Sequence, residues 1–428
     1  MSREMKHSGI QWIGNIPKDW NIDTIGNLYT LRNEKVSDKD FPPLSVTKMG
    51  IVPQLETAAK TDDGDNRKLV RVGDFAINSR SDRRGSCGIS AYDGSVSLIN
   101  TVITPREQMN PRFYNWLFHS ELFADEFYKW GHGIVDDLWT TRWQEMKRIS
   151  IVAPSLEEQQ KIASFLDRKC SEIDEMITLQ ERIVEELKAY KQSVITEAVT
   201  KGLNTDVPMK NSGVEWIGEI PEHWKQCRLK NYFHLHGRIG WNGLRSDEFE
   251  ESSYAYLVTG QDFKAKDIDW KKCYQIRKER YDEDPFIQLT EGDILVTKDG
   301  TIGKVAVVKN LNKPACLNSG IFVVKQYEPK CFDSGYVYWL LVSPLLKTFN
   351  DFLNLGGTTI IHLYQNVFER MPLVLPPLEE QQAIANHLDK ICSEIDSLIR
   401  IKESKIDSLK EYKKSIIYEY VTGKKEVI

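Results

Sequence analysis

No stretch of this 428-residue sequence approaches the roughly 20 consecutive apolar positions that a membrane-spanning helix needs, so a soluble chain with no membrane partner is expected. The opening MSREMKHSGIQWIG lacks the apolar core and small-residue cleavage site of a secretory signal, which predicts a cytoplasmic protein. Cysteine is sparse. The seven residues Cys87, Cys170, Cys227, Cys273, Cys316, Cys331 and Cys392 are odd in number and form no C-x-x-C pair, so they are read as reduced thiols. They do not combine with the eight histidines at metal-ligand spacing; His234 and His236 flank one residue but have no further ligand beside them. No metal and no cofactor are expected on this chain. The paired carboxylates Asp62-Asp63 and Asp136-Asp137 are read as turn residues rather than as a catalytic cluster.

Excess positive charge is also missing: the net charge is −5. Its distribution is uneven. Residues 225–372 carry 20 Lys/Arg against 18 Asp/Glu, and residues 21–150 carry 17 against 18, so acidity is concentrated outside these two segments. Charge therefore permits a nucleic-acid partner without demanding one.

What the sequence does contain is one plan written twice. SGIQWIGNIPKDW at Ser8–Trp20 returns as SGVEWIGEIPEHW at Ser212–Trp224, 204 residues later, with eight of 13 positions identical. PSLEEQQKIASFLDRKCSEIDEMI from Pro154 returns as PPLEEQQAIANHLDKICSEIDSLI from Pro376, 222 residues later. The order is motif, variable segment, helical segment, then the same again.

The helical segments follow from elementary rules. Ser155 with Glu158 forms a capping box, and the acidic residues of the first turn suit the helix dipole. Pro377 suits the first turn of the second copy, where a missing N–H is no loss. Apolar residues recur every seven positions at Leu166, Ile173, Leu187 and Val194, matched by Leu388, Ile395, Leu409 and Ile416. The intervening heptad position is polar in both copies, at Gln180 and Lys402, a register-fixing device. Ile177, Val184, Ile399 and Ile406 complete the seam. Over 40 residues without Gly or Pro make each segment a spacer rather than an ordinary core helix. Two such units in one chain are expected to pack about a pseudo-two-fold axis with the long helices antiparallel.

The variable segments mix short β-type runs with turns, as in GDFAINS (Gly73–Ser79) and GDILVTKDGTIGKVAVV (Gly292–Val308), and each ends in an aromatic-rich helix, Pro111–Trp130 and Ser334–Leu353. The predicted fold class is α+β, with domains at residues 1–154 and 203–376 and spacer helices at 155–202 and 377–428. The aromatics are assigned to the core. Arg84-Gly85-Ser86-Cys87-Gly88 and Asp299-Gly300-Thr301-Ile302-Gly303-Lys304 align as short glycine loops, with Gly85 on Gly300 and Gly88 on Gly303. Such loops can present N–H groups to a phosphate, and a plain hairpin turn is the alternative. They are not nucleotide-triphosphate loops, because the glycine spacing is too short and no Ser or Thr follows Lys304.

Basic clusters supply the remaining candidates for DNA contact: Arg67, Lys68, Arg71, Arg80, Arg83 and Arg84 in the first segment, with Ser86 on the loop, and Lys264, Lys266, Lys271, Lys272, Arg277, Lys278 and Arg280 in the second, with Lys298, Thr301 and Lys304 on its loop. Arginine suits bidentate readout of guanine, and lysine suits phosphate.

The W-I-G-x-I-P-x-x-W motif before each variable segment and the P-L-E-E-Q-Q or S-L-E-E-Q-Q start of each long helix resemble the specificity subunits of type I restriction-modification systems, and the resemblance spans the whole chain. It implies two target recognition domains that each read half of an asymmetric, split target in double-stranded DNA. It also implies helices that space the domains and dock two methyltransferase subunits, with restriction subunits joining. S-adenosylmethionine, ATP and Mg are then expected on partners, since no N-P-P-Y or D-P-P-Y tetrapeptide occurs here; the nearest string, Asn110-Pro111-Arg112-Phe113, has arginine for the second proline. Two alternatives remain open at this point: a coiled-coil scaffold displaying two domains to protein partners, and an enzyme whose site goes unrecognised.

Overall fold

A computed structural model of the chain describes every residue except 1–2, 57–63, 81–82, 108, 134–138, 239–243, 245–247, 329–330, 354–362 and 428, and no side chain at 350, 352 and 353. Both paired-carboxylate candidates, Asp62-Asp63 and Asp136-Asp137, lie outside the described residues. The chain folds as two compact units, one of Met1–Glu181 with Glu403–Ile428 and one of Arg182–Lys402. Each unit holds one variable domain, the first half of the long helix that follows it, and the last part of the other long helix.

The long helices run over Leu156–Lys201 and Leu378–Val421. At about 1.5 Å per residue each is on the order of 65–70 Å long. Gly202 (φ 78°) and Gly423 (φ 69°) stop them in the left-handed conformation that glycine adopts without strain. Leu166, Ile173, Leu388, Ile395, Leu409 and Ile416 are buried, whereas Leu187, Val194, Gln180 and Lys402 are half-buried. Cys170 and Cys392 fill the seam positions between the first two apolar layers of each helix and are buried too. In the first unit the Phe165 and Tyr420 rings pack at a tilt with centroids 4.4 Å apart, Lys413 binds Asp174 at 2.6 Å, and Lys410 lies 3.6 Å from Glu181. Numbers rise along one helix as they fall along the other, so the pair is antiparallel. The second unit repeats the central contact with the helices exchanged: Lys191 binds Asp396 at 2.6 Å, and both residues are the 222-residue counterparts of the first pair. Lys191 and Lys413 occupy seam positions of the four-three spacing, a polar layer that the apolar periodicity does not reveal.

The two repeated motifs meet in a clamp. Trp20 and Trp224 are fully buried, and each indole N–H donates to the second glutamate of the L-E-E-Q-Q run, Trp20 to Glu158 at 2.7 Å and Trp224 to Glu380 at 2.9 Å. Ser155 caps Glu158 N–H as expected, but the Glu158 carboxylate turns to Trp20 and Arg3 instead of back to the cap, so only half of the capping box forms. The glutamine that follows is buried and accepts from the N-cap residue of the domain's late helix, Gln159 from Asn110 N–H and Gln381 from Asp333 N–H, both at 2.8 Å. Asn110 and Pro111 are thus cap and first turn of a helix, which accounts for the Asn-Pro string. The glycine ending each helix closes on the benzene ring of a clamp tryptophan. A β-carbon on Gly202 would lie 3.1 Å from Trp224, and one on Gly423 would lie 3.0 Å from Trp20 and 2.5 Å from Pro17.

The strand that follows each repeated motif pairs antiparallel with the strand that precedes each long helix, Asn21–Thr24 with Ser150–Ala153 and Lys225–Arg228 with Pro372–Leu375, which delivers the chain to the helix at the point where it left the motif. Between them lies a four-stranded antiparallel sheet of one order in both copies. It runs Cys87–Ile89, Phe75–Asn78, Asn100–Pro105, Tyr29–Leu31 in the first domain and Val305–Val307, Ile294–Thr297, Ile321–Gln326, Phe233–His236 in the second. The single late helix expected in each domain is two, Pro111–Phe118 with Glu121–Lys129 and Ser334–Val342 with Pro344–Leu353. The break comes at Ser120 and Ser343, whose hydroxyls bond back to Leu117 O and Leu340 O and divert the backbone. Phe113, Tyr114, Tyr336, Tyr338 and Trp339 are buried, as their assignment to the core requires.

Candidate nucleic-acid interface

In the second domain the strands Ile294–Thr297 and Val305–Val307 are joined by the glycine loop, and Thr297 pins it. The Thr297 hydroxyl donates to Thr301 O at 2.6 Å and accepts from Lys304 N–H at 2.9 Å, while Thr297 N–H donates to Lys304 O at 2.9 Å. Gly300 (φ 67°) and Gly303 (φ 82°) supply the two left-handed turns that this loop requires. Thr301 and Lys304 are exposed, whereas Lys298 is half-buried with its ammonium 4.9 Å over the Phe322 ring. The loop forms one wall of a cleft of about 530 Å³, whose other walls include Thr259, Gln261, Tyr274 and Asn318.

The first domain has the same hairpin, but in a register other than the one its glycine spacing suggests. Cys87 pairs with Ile77 and Asn78 N–H donates to Ser86 O at 2.8 Å, as Val305 pairs with Val296 and Thr297 N–H donates to Lys304 O. Gly85 (φ 76°) therefore corresponds to Gly303, not Gly300, and Ser86 to Lys304. Gly88 lies inside a strand, where a β-carbon would strike Gly50 Cα at 2.8 Å; it is there for close approach of backbones, not for a turn. Ser86 is buried rather than presented on the loop.

The basic candidates divide by what already holds them. Arg67 is buried, with its guanidinium donating to Ser95 Oγ at 2.8 Å and Ser95 O at 3.0 Å, and Lys68 donates to Asn100 O at 2.6 Å. Burial holds both below their usual pKa ranges. Both side chains thus spend donors inside the domain, where they tie the strand Arg67–Val70 to its neighbours. Lys266 binds Asp389 on the long helix at 2.6 Å and sits 5.3 Å over Tyr338, so it ties domain to helix. Arg71 pairs with Asp93 at 2.8 Å, Arg277 with Glu250 at 2.7 Å, Lys272 with Asp269 at 3.9 Å, Arg280 with Glu248 at 2.8 Å, and Lys278 with Asp282. Arg84 pairs with Asp125 but is half exposed. Arg80, Arg83 and Arg84 stay together on the loop of the first domain, and Lys264 and Lys271 are exposed in the second. Gln261 and Asn318 carry no charge, and a search for basic residues passes over them.

His234 and His236 lie on the strand Phe233–His236 with rings 5.0 Å apart, His236 stacked on Phe286 at 4.9 Å. Among the described residues no group of His, Cys, Asp and Glu could hold a metal ion, and no helix is long and apolar enough to cross a membrane.

A family model described as the type I restriction modification DNA specificity domain matches residues 221–411. The chain is 27% identical over 427 residues to the type I restriction enzyme MjaVIII specificity subunit of Methanocaldococcus jannaschii, covering 96% of this chain and 93% of that protein. A solved chain from work on complex assembly and conformational transition of the type I R-M system is 16% identical, with a TM-score of 0.72 over 95% of this chain and 98% of that one. The HsdS subunit from Thermoanaerobacter tengcongensis is 17% identical, with a TM-score of 0.55 over the same shares.

Proposed function

We propose that this chain serves as the specificity subunit of a type I restriction-modification complex, a reading supported by the family model over residues 221–411 and by the 27% identity to a specificity subunit along nearly the whole chain. It is the sequence-specific DNA-binding subunit. The domain at residues 1–154 reads one half of an asymmetric, split target in double-stranded DNA, and the domain at 203–376 reads the other. Helices 155–202 and 377–428 space the readers. The observation that carries this reading is duplication with divergence. The tryptophan clamp is the same in both units, whereas the residue at the loop's base is Lys304 in one reader and Ser86 in the other.

The chain itself is non-catalytic and acts in the cytoplasm, and S-adenosylmethionine, ATP and Mg belong to its partners. Two methyltransferase subunits dock on the long helices, and restriction subunits join them. The support for two equal docking sites is a set of exposed apolar residues kept at the 222-residue offset: Met176 with Leu398, Leu179 with Ile401, and Tyr190 with Tyr412, with exposures between 44% and 62%. Apolar side chains held in the open at the same places in both copies fit one kind of partner bound twice.

Modified-base sequencing of genomic DNA from cells expressing the methyltransferase subunit with and without this chain tests the reading. A split methylated motif that depends on the chain is expected; methylation indifferent to it overturns the proposal. Replacing residues 21–150 by a relative's segment should change one half of the motif only.

A further inference from the structure

We infer that the cleft of the second reader is where a base is identified, with Gln261 the residue that identifies it as adenine; the inference rests on the recognition role just proposed. Polar side chains of three elements converge on this cleft with capacity to spare. The Gln261 side chain is exposed, and its amide has no partner among the described residues. Asn318 spends its oxygen on Ser319 N–H at 2.8 Å and keeps its N–H₂. Lys304 engages the loop through its backbone alone, which leaves the ammonium at the rim. A primary amide with both ends unspent is the group that bonds bidentately to adenine N6 and N7, whereas an ammonium suits phosphate.

The cleft is open because its walls are bare. A β-carbon on Gly260 would come within 3.0 Å of Thr297 Cγ2 and narrow the wall beside Gln261. In the first reader, the parallel bridge of Pro43 to Ser95 corresponds to that of Leu257 to Cys316, which puts Val46 in the place of Gly260, Thr47 in that of Gln261 and Ser97 in that of Asn318. Thr47 is already spent, its hydroxyl donating to Gly50 O at 2.9 Å and accepting from Met49 N–H. The unspent amide is thus a property of the second reader.

The test uses the full chain with its methyltransferase subunit and duplexes that carry, one at a time, every base pair at each position of the mapped target. The half belonging to the second reader is defined beforehand by exchanging residues 225–372. Gln261→Ala should lose discrimination at one A·T position of that half, by about 5- to 150-fold, and keep full discrimination in the other half. Because this side chain is exposed and supports no described neighbour, its truncation leaves the fold intact. Unchanged discrimination everywhere, or a loss of affinity uniform over all duplexes, overturns the assignment. A wild-type complex that fails to discriminate at all refutes the recognition role instead, so the two failures are distinguishable.

Discussion

The two readers share a four-stranded sheet of one order but differ in the smaller sheet beside it. In the first reader that sheet is antiparallel, Gly94–Val96, Arg67–Val70 and Lys35–Val36, and the hairpin of Leu44–Thr47 and Gly50–Pro53 meets it beside a single parallel bridge, Pro43 to Ser95. In the second, Ala255–Val258 lies between Tyr274–Ile276 and Ala315–Leu317, and its pairing with the latter is parallel. The shared sheet carries Tyr29, Phe75 and Phe233 into the core, where a change of one residue costs the fold. The smaller sheet is buried too, at Val70 and Val96 in one reader and Leu257 and Cys316 in the other, so the difference between the readers lies in how its strands are joined and in the turns that leave it.

The strongest way to break the equivalence of the frames is at the clamp. Trp20→Ala and Trp224→Ala should each destabilise the unit that holds it by about 3–5 kcal/mol, as for other buried tryptophans. Urea unfolding followed by hydrogen exchange in each unit measures this; a large penalty in one unit with a negligible one in the other would show that the two clamps are not one device. The divergence of the readers is sharpened next. Lys304→Ala should weaken binding to all target variants alike and reduce the salt dependence of binding by about one unit in the log–log slope. Ser86→Ala, buried and off the loop, should leave that slope unchanged. At the seam the two readers' supports are expected to agree again: double-mutant cycles on Lys191–Asp396 and Lys413–Asp174 should give like coupling energies of about 0.5–1 kcal/mol, since all four side chains are partly exposed.

The smallest effect separates the units by pH. His119 is half-buried in the first unit, its Nδ1 2.7 Å from Asn115 O and Nε2 3.8 Å from Cys87 Sγ, whereas Val342 precedes the equivalent serine in the second. Burial, helped by the Lys413 charge, holds its pKa below the usual histidine value. The folded unit therefore prefers neutral imidazole, while the unfolded chain takes up a proton near pH 6.5. This contribution to stability is complete above about pH 6.5 and is lost as pH falls toward the lowered folded pKa. His119→Val should flatten urea midpoints of the first unit between pH 5 and 7; an unchanged slope would assign the pH dependence elsewhere.

The long helices were legible in the sequence because a seven-residue period over 40 positions has one physical solution. Lys191 and Lys413 were not, because a lysine at a seam position looks like an interruption until its aspartate is found on the other helix. Basic residues also misled. Arg67 has the charge of a DNA contact, but its position between two strands commits it to Ser95, and burial cannot be read from charge. The loop register failed because glycine serves both turns and close backbone approach, and only strand pairing tells Gly85 from Gly88. Gln261 escaped because an amide announces neither charge nor period.

The first unit is discontinuous: its clamp closes on Gly423 and its seam on Tyr420, although it begins at the start of the sequence. During synthesis the second unit, Arg182–Lys402, has all its residues before the first has the segment Glu403–Ile428. At about 5–20 residues per second, the ribosome takes roughly 10–40 s to pass from Glu181 to that segment. Over that interval Phe165 lacks its cover, and the unit begun first is the one completed last.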